Sequence, residues 1–169
     1  MLTNPVCNGG NALYWISKRE VIVMDVDKEI IVREYPHPAR AMLYDPTYLW
    51  MGDFLSCIVS GNSELTYEIY ILDLDSGIWT LYHEMGPFDY MAACGHNLNY
   101  TIMSFRLWIN DQIIFRVSLH HNSSHENIHF GYNVKTKQMT KIDDIDMGNF
   151  NISVWSHTNS LVSLPTTPA

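Results

Sequence analysis

Short runs of β-branched, aliphatic and aromatic residues alternate with polar turns along the whole chain. The most regular example has one apolar run over Tyr67–Leu72, a polar stretch over Asp73–Gly77 and a second apolar run over Ile78–Tyr82. β-branched and aromatic residues favour the pleated, half-buried surface of a strand. Asp, Ser and Gly favour tight turns, because their side chains bond to nearby backbone or because Gly accepts positive φ. The pattern predicts a β-hairpin.

The same hairpin pattern occurs upstream over Val21–Arg33 and downstream over Ile128–Lys141. The turns open with Asp25, Asp73 and Asn133, which are separated by 48 (73 − 25) and 60 (133 − 73) residues. A strand pattern that recurs at roughly 45-residue spacing is typical of β-propellers rather than of helical arrays. The sequence therefore predicts repeated antiparallel meanders.

The other apolar runs complete three sets of predicted strands within one domain, residues 1–169. The predicted strands are Leu13–Ile16, Val21–Met24, Ile30–Tyr35, Phe54–Val59, Thr101–Trp108, Ile113–Ser118, Ile128–Tyr132, Met139–Ile142, Asn151–Trp155 and Ser160–Leu164. Long loops are predicted over Arg40–Asp53 and over His120–Asn127. No segment carries apolar residues at helical spacing for more than two turns, so the predicted class is all-β.

Composition narrows the class of protein. A hydrophobic content of 47% and a charged content of 17% exclude a disordered chain. The net charge of −8, without a Lys/Arg cluster, argues against binding to nucleic acid or to anionic membranes. Cys7, Cys57 and Cys94 are odd in number and widely spaced, and no apolar signal segment precedes them. We therefore expect reduced thiols in a cytoplasmic or nuclear protein without a membrane span.

Several of these segments also resemble the F-box-associated domain of plant F-box proteins. Asn11–Trp15, Val21–Asp25 and Tyr35-Pro36 are similar to the strands of one blade of that domain. Similarity to its later blades extends over Ile69–Asp73, Gly77–Leu81, Tyr132–Lys137 and the closing Ser160–Leu164. The likeness covers most of the chain, from about Val6 to Leu164.

The resemblance implies a kelch-like β-propeller that selects substrates for a cullin-type ubiquitin ligase. In that family a helical F-box before the propeller binds the Skp-type linker subunit. We expect no F-box here, since the chain begins directly with a strand. About three blades are predicted, whereas closed propellers need roughly four to eight. The expected function is therefore non-catalytic binding of a protein substrate by a partial propeller, with the linker reached only through an F-box outside this chain.

A histidine-rich segment gives the main alternative. His120, His121, His125 and His129 suggest a metal-dependent enzyme or lectin. Three of them lie in a Ser/Asn-rich stretch, where the predicted structure is a solvated loop at the tip of a blade. Zinc sites need convergent ligands on a rigid scaffold with supporting contacts, so we do not expect a metal site there.

Two groups of carboxylates are weaker candidates for chemistry. Asp143, Asp144 and Asp146 lack the spacing and the final Glu of a calcium loop, and a solvated acidic turn explains them. Turn formation already explains Asp73 and Asp75. No motif for nucleophilic catalysis, phosphate binding or zinc hydrolysis is present. We therefore predict no catalytic, cofactor-binding or metal-binding residue, no cofactor and no enzyme activity.

Aromatic residues suggest where a protein partner would bind. Trp15, Trp79 and Trp155 fall at comparable places in their strands, which predicts packing between blades. The stretches Tyr44–Trp50 and Met85–Tyr90 combine aromatic and polar residues in predicted loops between blades. Loops on a rigid scaffold and exposed aromatic residues are typical of protein-binding surfaces. The alternative is that these aromatic residues cap the blade edges.

A third hypothesis is a non-functional or regulatory truncated relative of a longer protein. An open arc of three blades leaves unpaired edges and uncovered faces, which favour association. We therefore expect that the chain either pairs with a second copy or folds poorly alone.

Overall fold

A computed structural model describes residues 6–7, 11–17, 19–42, 46–63, 65–88, 101–121 and 124–142. These residues form three antiparallel sheets of four strands, and in each sheet neighbouring strands are consecutive in the chain. The first sheet contains β1 (Val6–Cys7), β2 (Ala12–Ile16), β3 (Glu20–Asp25) and β4 (Ile30–Pro36). The second contains β5 (Thr47–Met51), β6 (Phe54–Ser60), β7 (Tyr67–Leu72) and β8 (Trp79–Met85). The third contains β9 (Thr101–Ile109), β10 (Gln112–His121), β11 (Ser124–Asn133) and β12 (Gln138–Ile142).

The predicted all-β class and the antiparallel meanders are confirmed by this topology. None of the three described sheets is closed. The described part of the chain contains one short 3₁₀ helix, Ala39–Met42, between the first and second sheets. It contains no helix that is long and apolar enough to cross a membrane.

The turn repeat predicted from the sequence joins equivalent strands in all three sheets. Asp25 and Asn133 are the last residues of the third strands of their sheets, Asp73 directly follows its third strand, and each opens the turn to the fourth strand. In each case a side-chain oxygen accepts hydrogen bonds from backbone N–H groups two or three residues later, for example from Lys28 at 3.1 Å and from Thr136 at 2.9 Å. Such bonds favour a turn over continuation of the strand.

The residue four positions after each turn opener has a positive φ. The angle is 53° at Glu29, 74° at Gly77 and 57° at Lys137. Positive φ strains every residue except Gly, because Cβ approaches the backbone. Only the second sheet has Gly at this position, so the other two turns keep the same shape against the preference of their residues.

Two predicted loops are wrong. Of the described residues in the stretch His120–Asn127, His120 and His121 end β10 and Ser124–Asn127 begin β11. The two strands pair directly, from His121 opposite Ser124 to Gln112 opposite Asn133. Polar residues there suggested a loop, but pairing with the neighbouring strand satisfies the backbone whatever the side chains are. The stretch Arg40–Asp53 contains most of the 3₁₀ helix and the strand β5, which pairs with β6. The predicted strands beyond Ile142 lie outside the described residues.

The three sheets also share one register between their second and third strands. Leu13 pairs with Met24 and Trp15 with Ile22 in the first sheet. Cys57 pairs with Tyr70 in the second sheet, as Ile113 does with Tyr132 and Phe115 with Phe130 in the third. Counted from the turn openers, these are equivalent positions. We call the face that they share the back face of each sheet, and the opposite side the front face.

The sheets pack front face against back face. One core joins the front face of the first sheet, through Tyr14, Val21 and Val23, to Leu55 and Leu72 on the back face of the second. A larger core joins the front face of the second sheet to the back face of the third; it includes Ile58, Ile69, Met85, Phe88, Ile113, Phe115, Phe130 and Tyr132. The second sheet is therefore covered on both faces, and five consecutive residues of β6, Leu55–Val59, are buried.

Polar contacts fix the orientation of neighbouring sheets. The indole Nε1 of Trp79 donates a hydrogen bond of 2.7 Å to the carbonyl of Pro36, which links the second sheet to the first. Arg40, in the 3₁₀ helix, forms an ion pair of 2.7 Å with the largely buried Glu68. His83 and the hydroxyl of Tyr132, 2.9 Å apart, link the second sheet to the third.

The strained turn positions give a test of the repeat. Replacing Lys137 by Gly should raise the free energy of unfolding by a few tenths to about 1 kcal/mol, because relief of positive φ exceeds the entropy that Gly adds to the unfolded chain. Gly77→Ala should lower it by about 1 kcal/mol or more, since φ is 74° and the new Cβ would lie 3.1 Å from the ring of Tyr35. Urea denaturation measures the free energy of unfolding of each variant. A change of the same sign for the two substitutions would contradict the equivalence of these turn positions.

The partly buried imidazole of His83 gives a pH test. Burial, and next the charge of Lys137, lower the pKa of His83 below its ordinary 6.5. The unfolded chain then takes up the proton first, so this contribution to stability is present above about pH 6.5 and is lost as pH falls through the folded pKa. The free energy of unfolding should fall more steeply between about pH 7.5 and about pH 5 in the native chain than in His83→Gln. Identical pH profiles would show that His83 carries no such effect.

Candidate functional site

A cavity of about 320 Å³ lies at one end of the second sheet. Asp53 and Phe54 form one wall, where β5 turns into β6. The turn from β7 to β8, Asp73–Asp75, forms the other wall. Ile71, Leu72 and Thr80 line the space between the two walls. The cavity therefore combines an apolar interior with three carboxylates at its rim.

Local sequence positions both walls. Gly52, with φ of 57°, and Asp53 make a two-residue turn between paired strands, because Met51 pairs with Phe54. In the other wall the carboxylate of Asp73 accepts a hydrogen bond of 2.7 Å from the hydroxyl of Ser76 and one of 2.9 Å from the backbone N–H of Asp75. These hydrogen bonds, that from the Ser76 hydroxyl first, lower the pKa of Asp73, so this carboxylate stays charged at neutral pH.

The first sheet supports the second wall from outside. The carbonyl of Leu74 accepts a hydrogen bond of 2.6 Å from the hydroxyl of Tyr35 and another from the guanidinium of Arg33. Tyr35 is 6% exposed, so the group that holds the turn is itself part of the core. Contacts from two sheets thus fix the shape of the cavity before any partner binds, which reduces the entropy cost of binding.

Exposed groups at this end are both acidic and apolar. Phe54 is 53% exposed, and Ile78, at the end of the turn from β7 to β8, is 59% exposed. Asp53 and Asp75 are also exposed, and neither forms an ion pair within the part of the chain that the structure describes. Such a surface can accept a partner side chain that carries a positive charge on an apolar stem, as Lys and Arg do.

The histidine-rich segment does not converge in the way its sequence suggested. His120 and His125 are directly opposite on paired strands, whereas His121 pairs with Ser124 and His129 pairs with Arg116. His125 and His129 are four residues apart on one strand, a separation of about 13 Å. The described residues contain no group of three or more potential ligands arranged for a metal ion.

The aromatic stretches pack mainly inside the protein. In the stretch Met85–Tyr90, Met85 is fully buried and Phe88 is 8% exposed. In the stretch Tyr44–Trp50, Tyr48 and Trp50 belong to β5 and pack against the core between the first two sheets. These residues therefore pack between sheets rather than forming an exposed binding loop. Tyr44, Asp89 and Tyr90 lie outside the described residues.

The tryptophans separate into two groups. Trp79 packs between the first and second sheets as predicted, and Trp108 lies in the core between the second and third. Trp15 is only half-buried, and it lies on the back face of the first sheet, where no described sheet precedes it. The predicted packing of Trp15 between sheets therefore stays a prediction, because the structure describes no sheet against this residue. Trp155 lies outside the described residues.

Other candidates carry no chemistry that the structure supports. Cys57 is a free, buried cysteine, and burial raises the pKa of its thiol to about 12, which makes it a poor nucleophile. Asp73 and Asp75 form the turn that the sequence predicted for them. Asp143, Asp144 and Asp146 lie outside the described residues.

Sequence reasoning missed Asp53 and Phe54, which form one wall of the cavity. The sequence predicted a loop that ends at Asp53 and a strand that begins at Phe54. Because β5 lies inside this predicted loop, the hairpin between β5 and β6 was missed. The signal that could have found them is the dipeptide Gly52-Asp53 between two apolar runs, a typical two-residue hairpin turn.

The histidine arrangement predicts the metal content of the purified protein. Mass spectrometry should detect far less than one zinc ion per chain. The reason is that only two of the four histidines, His120 and His125, lie directly opposite each other on the paired strands. Added zinc should not raise the melting temperature. One zinc per chain, lost in the variant His120→Ala/His125→Ala, would contradict this expectation and support the alternative of a metal-dependent protein.

Comparison with models of known protein families gives no match, and no curated protein matches the chain significantly. The resemblance to the F-box-associated domain therefore depends on the chain's own motifs.

Proposed function

We propose that this chain is a non-catalytic protein-binding module, and that its three sheets are consecutive blades of a partial kelch-like propeller. The proposal is supported by four-stranded meanders with equivalent turns and by front-to-back packing of successive sheets. These features agree with the blades that the resemblance to F-box-associated domains implies. By the same resemblance, the module selects a protein substrate for a cullin-type ubiquitin ligase, with the F-box supplied by a longer chain or by a partner subunit.

One observation carries the binding proposal: the cavity at the end of the second sheet, with its exposed Phe54 and its charged rim. Asp53, Asp73 and Asp75 outnumber Arg33, the cation at this turn, so the site has a net negative charge. The partner is therefore a peptide segment with Lys or Arg beside an aliphatic or aromatic residue. Electrostatic attraction would speed association, and apolar contact with Phe54 would slow dissociation.

Selection of peptides from a randomised display library on the purified chain tests this proposal. Enrichment of peptides with a basic residue next to an apolar residue is the expected result. The variant Asp53→Asn/Asp75→Asn should bind a selected peptide at least about tenfold more weakly, or about 1.4 kcal/mol. Asp73 is left unchanged, because it holds the turn that forms the wall.

The third sheet offers a matched control. Asp111 occupies the turn position equivalent to Asp53, and Lys135 neutralises it at 2.9 Å. Asp111→Asn should leave peptide affinity unchanged. Peptides without charge preference, or equal affinity for the native chain and the double variant, would contradict the proposed site.

A further inference from the structure

The back face of the first sheet is apolar although no described sheet covers it. Leu13, Trp15, Ile22 and Met24 lie on this face, and all four are half-buried. Ile31, which pairs with Met24, is 60% exposed. Adjacent apolar side chains on one face of a sheet are typical of a surface that another protein element covers.

The other two sheets show what covers this face. At the positions equivalent to Leu13 and Met24, the second sheet has Leu55 and Leu72, and both are fully buried. The third sheet has Ile113 and Tyr132 at the same positions, with exposures of 0% and 3%. In both sheets the front face of the preceding sheet buries these residues. The first sheet thus has the equivalent apolar surface, but no described front face packs against it.

The third sheet presents the complementary front face, and no described sheet follows it. Ile114 and Ile142 flank Gly131 there, because a Cβ on Gly131 would lie 3.6 Å and 3.8 Å from their Cδ1 atoms. Arg116 lies on the same face, two residues beyond Ile114. Its equivalents in the first and second sheets are Ile16 and Ile58, both buried against the next sheet.

The charges of the two open faces are opposite. Glu20 lies on the back face of the first sheet, two residues before Ile22, and Glu34 pairs with Ile22 across the strands. On the front face of the third sheet, the Nε of Arg116 is shielded from solvent and has no hydrogen-bond partner. Glu20 forms no ion pair with any described residue. If the two faces met, the carboxylates of the first sheet would lie opposite the guanidinium group of the third sheet, and the opposite charges would neutralise each other.

We propose that two copies of this chain associate head to tail, with the back face of each first sheet covered by the front face of the partner's third sheet. Each copy carries one face of each kind, so two such contacts use all four open faces. Head-to-tail contacts form either closed rings or open filaments. Two chains supply six sheets, within the range of about four to eight at which rings of four-stranded blades close; this count depends on the propeller proposed above.

The mass of the full chain in solution, measured by sedimentation over a series of concentrations, is the first test. Twice the mass of one chain is the expected result. Ile22→Arg places a positive charge on the back face, and Arg116→Glu places a negative charge on the front face. Each charge faces residues of the same sign on the partner, so either substitution alone should give monomers. Leu81→Arg, at a residue that is 51% exposed on the second sheet, is the matched control and should remain dimeric.

Mixing the two variants separates head-to-tail association from other geometries. In a mixture, the intact front face of Ile22→Arg meets the intact back face of Arg116→Glu, so one contact is restored and dimers reappear. A back-to-back dimer would instead survive Arg116→Glu alone. A monomeric native chain, a dimer that resists both substitutions, or a mixture that stays monomeric would overturn the proposal.

Near-ultraviolet dichroism from the tryptophans checks that each variant is folded. If Ile22→Arg or Arg116→Glu loses this signal, Glu34→Arg and Thr140→Glu replace them, because both residues are exposed edge-strand positions that tolerate substitution. The cavity with Asp53 and Phe54 lies on the second sheet, away from both open faces. Folded monomeric variants should therefore still bind the selected peptide, so failure of the dimer and failure of the proposed function are distinguishable.

Discussion

Burial of both faces of the second sheet is the constraint on which the remaining structure depends. In a sheet with one solvent-exposed face, buried and exposed residues alternate along each strand. In β6, by contrast, five consecutive residues are buried, Leu55–Val59. Such a strand cannot be exposed to water on either side without losing a large part of its stabilisation. The first and third sheets are therefore required for the second sheet to fold, and the order front against back follows from their shared register.

This arrangement also explains why the candidate binding site is rigid. The turn that carries Asp73 and Leu74 is held by its own side-chain hydrogen bonds and by Tyr35 of the first sheet. Packing between sheets thus shapes a surface that one hairpin alone could not hold. The same packing leaves one back face and one front face without a described neighbour. The site for a foreign partner and the surfaces for self-association are therefore different parts of the molecule.

Much of the fold could be predicted from local sequence, and the failures have physical causes. The turn openers Asp25, Asp73 and Asn133 identified equivalent turns, because Asx side chains bond to backbone only a few residues away. The strand β5 was missed because all five of its residues are half-buried and show no alternation. The candidate cavity could not be predicted, since it joins two turns that are separated by about twenty residues in the chain. The expected F-box-associated identity stays a prediction, with no matching family behind it.

The sequence by itself determined the all-β class, the antiparallel hairpins and the recurring turns, because these depend on short-range propensity and on hydrogen bonds within a few residues. Tertiary structure decided which faces became core. Met24 and Leu72 occupy equivalent positions with similar apolar character, yet only Leu72 has a described sheet packed against it. It also converted a polar, histidine-rich stretch into paired strands, because ladder hydrogen bonds depend on the backbone of the adjacent strand and not on the local side chains.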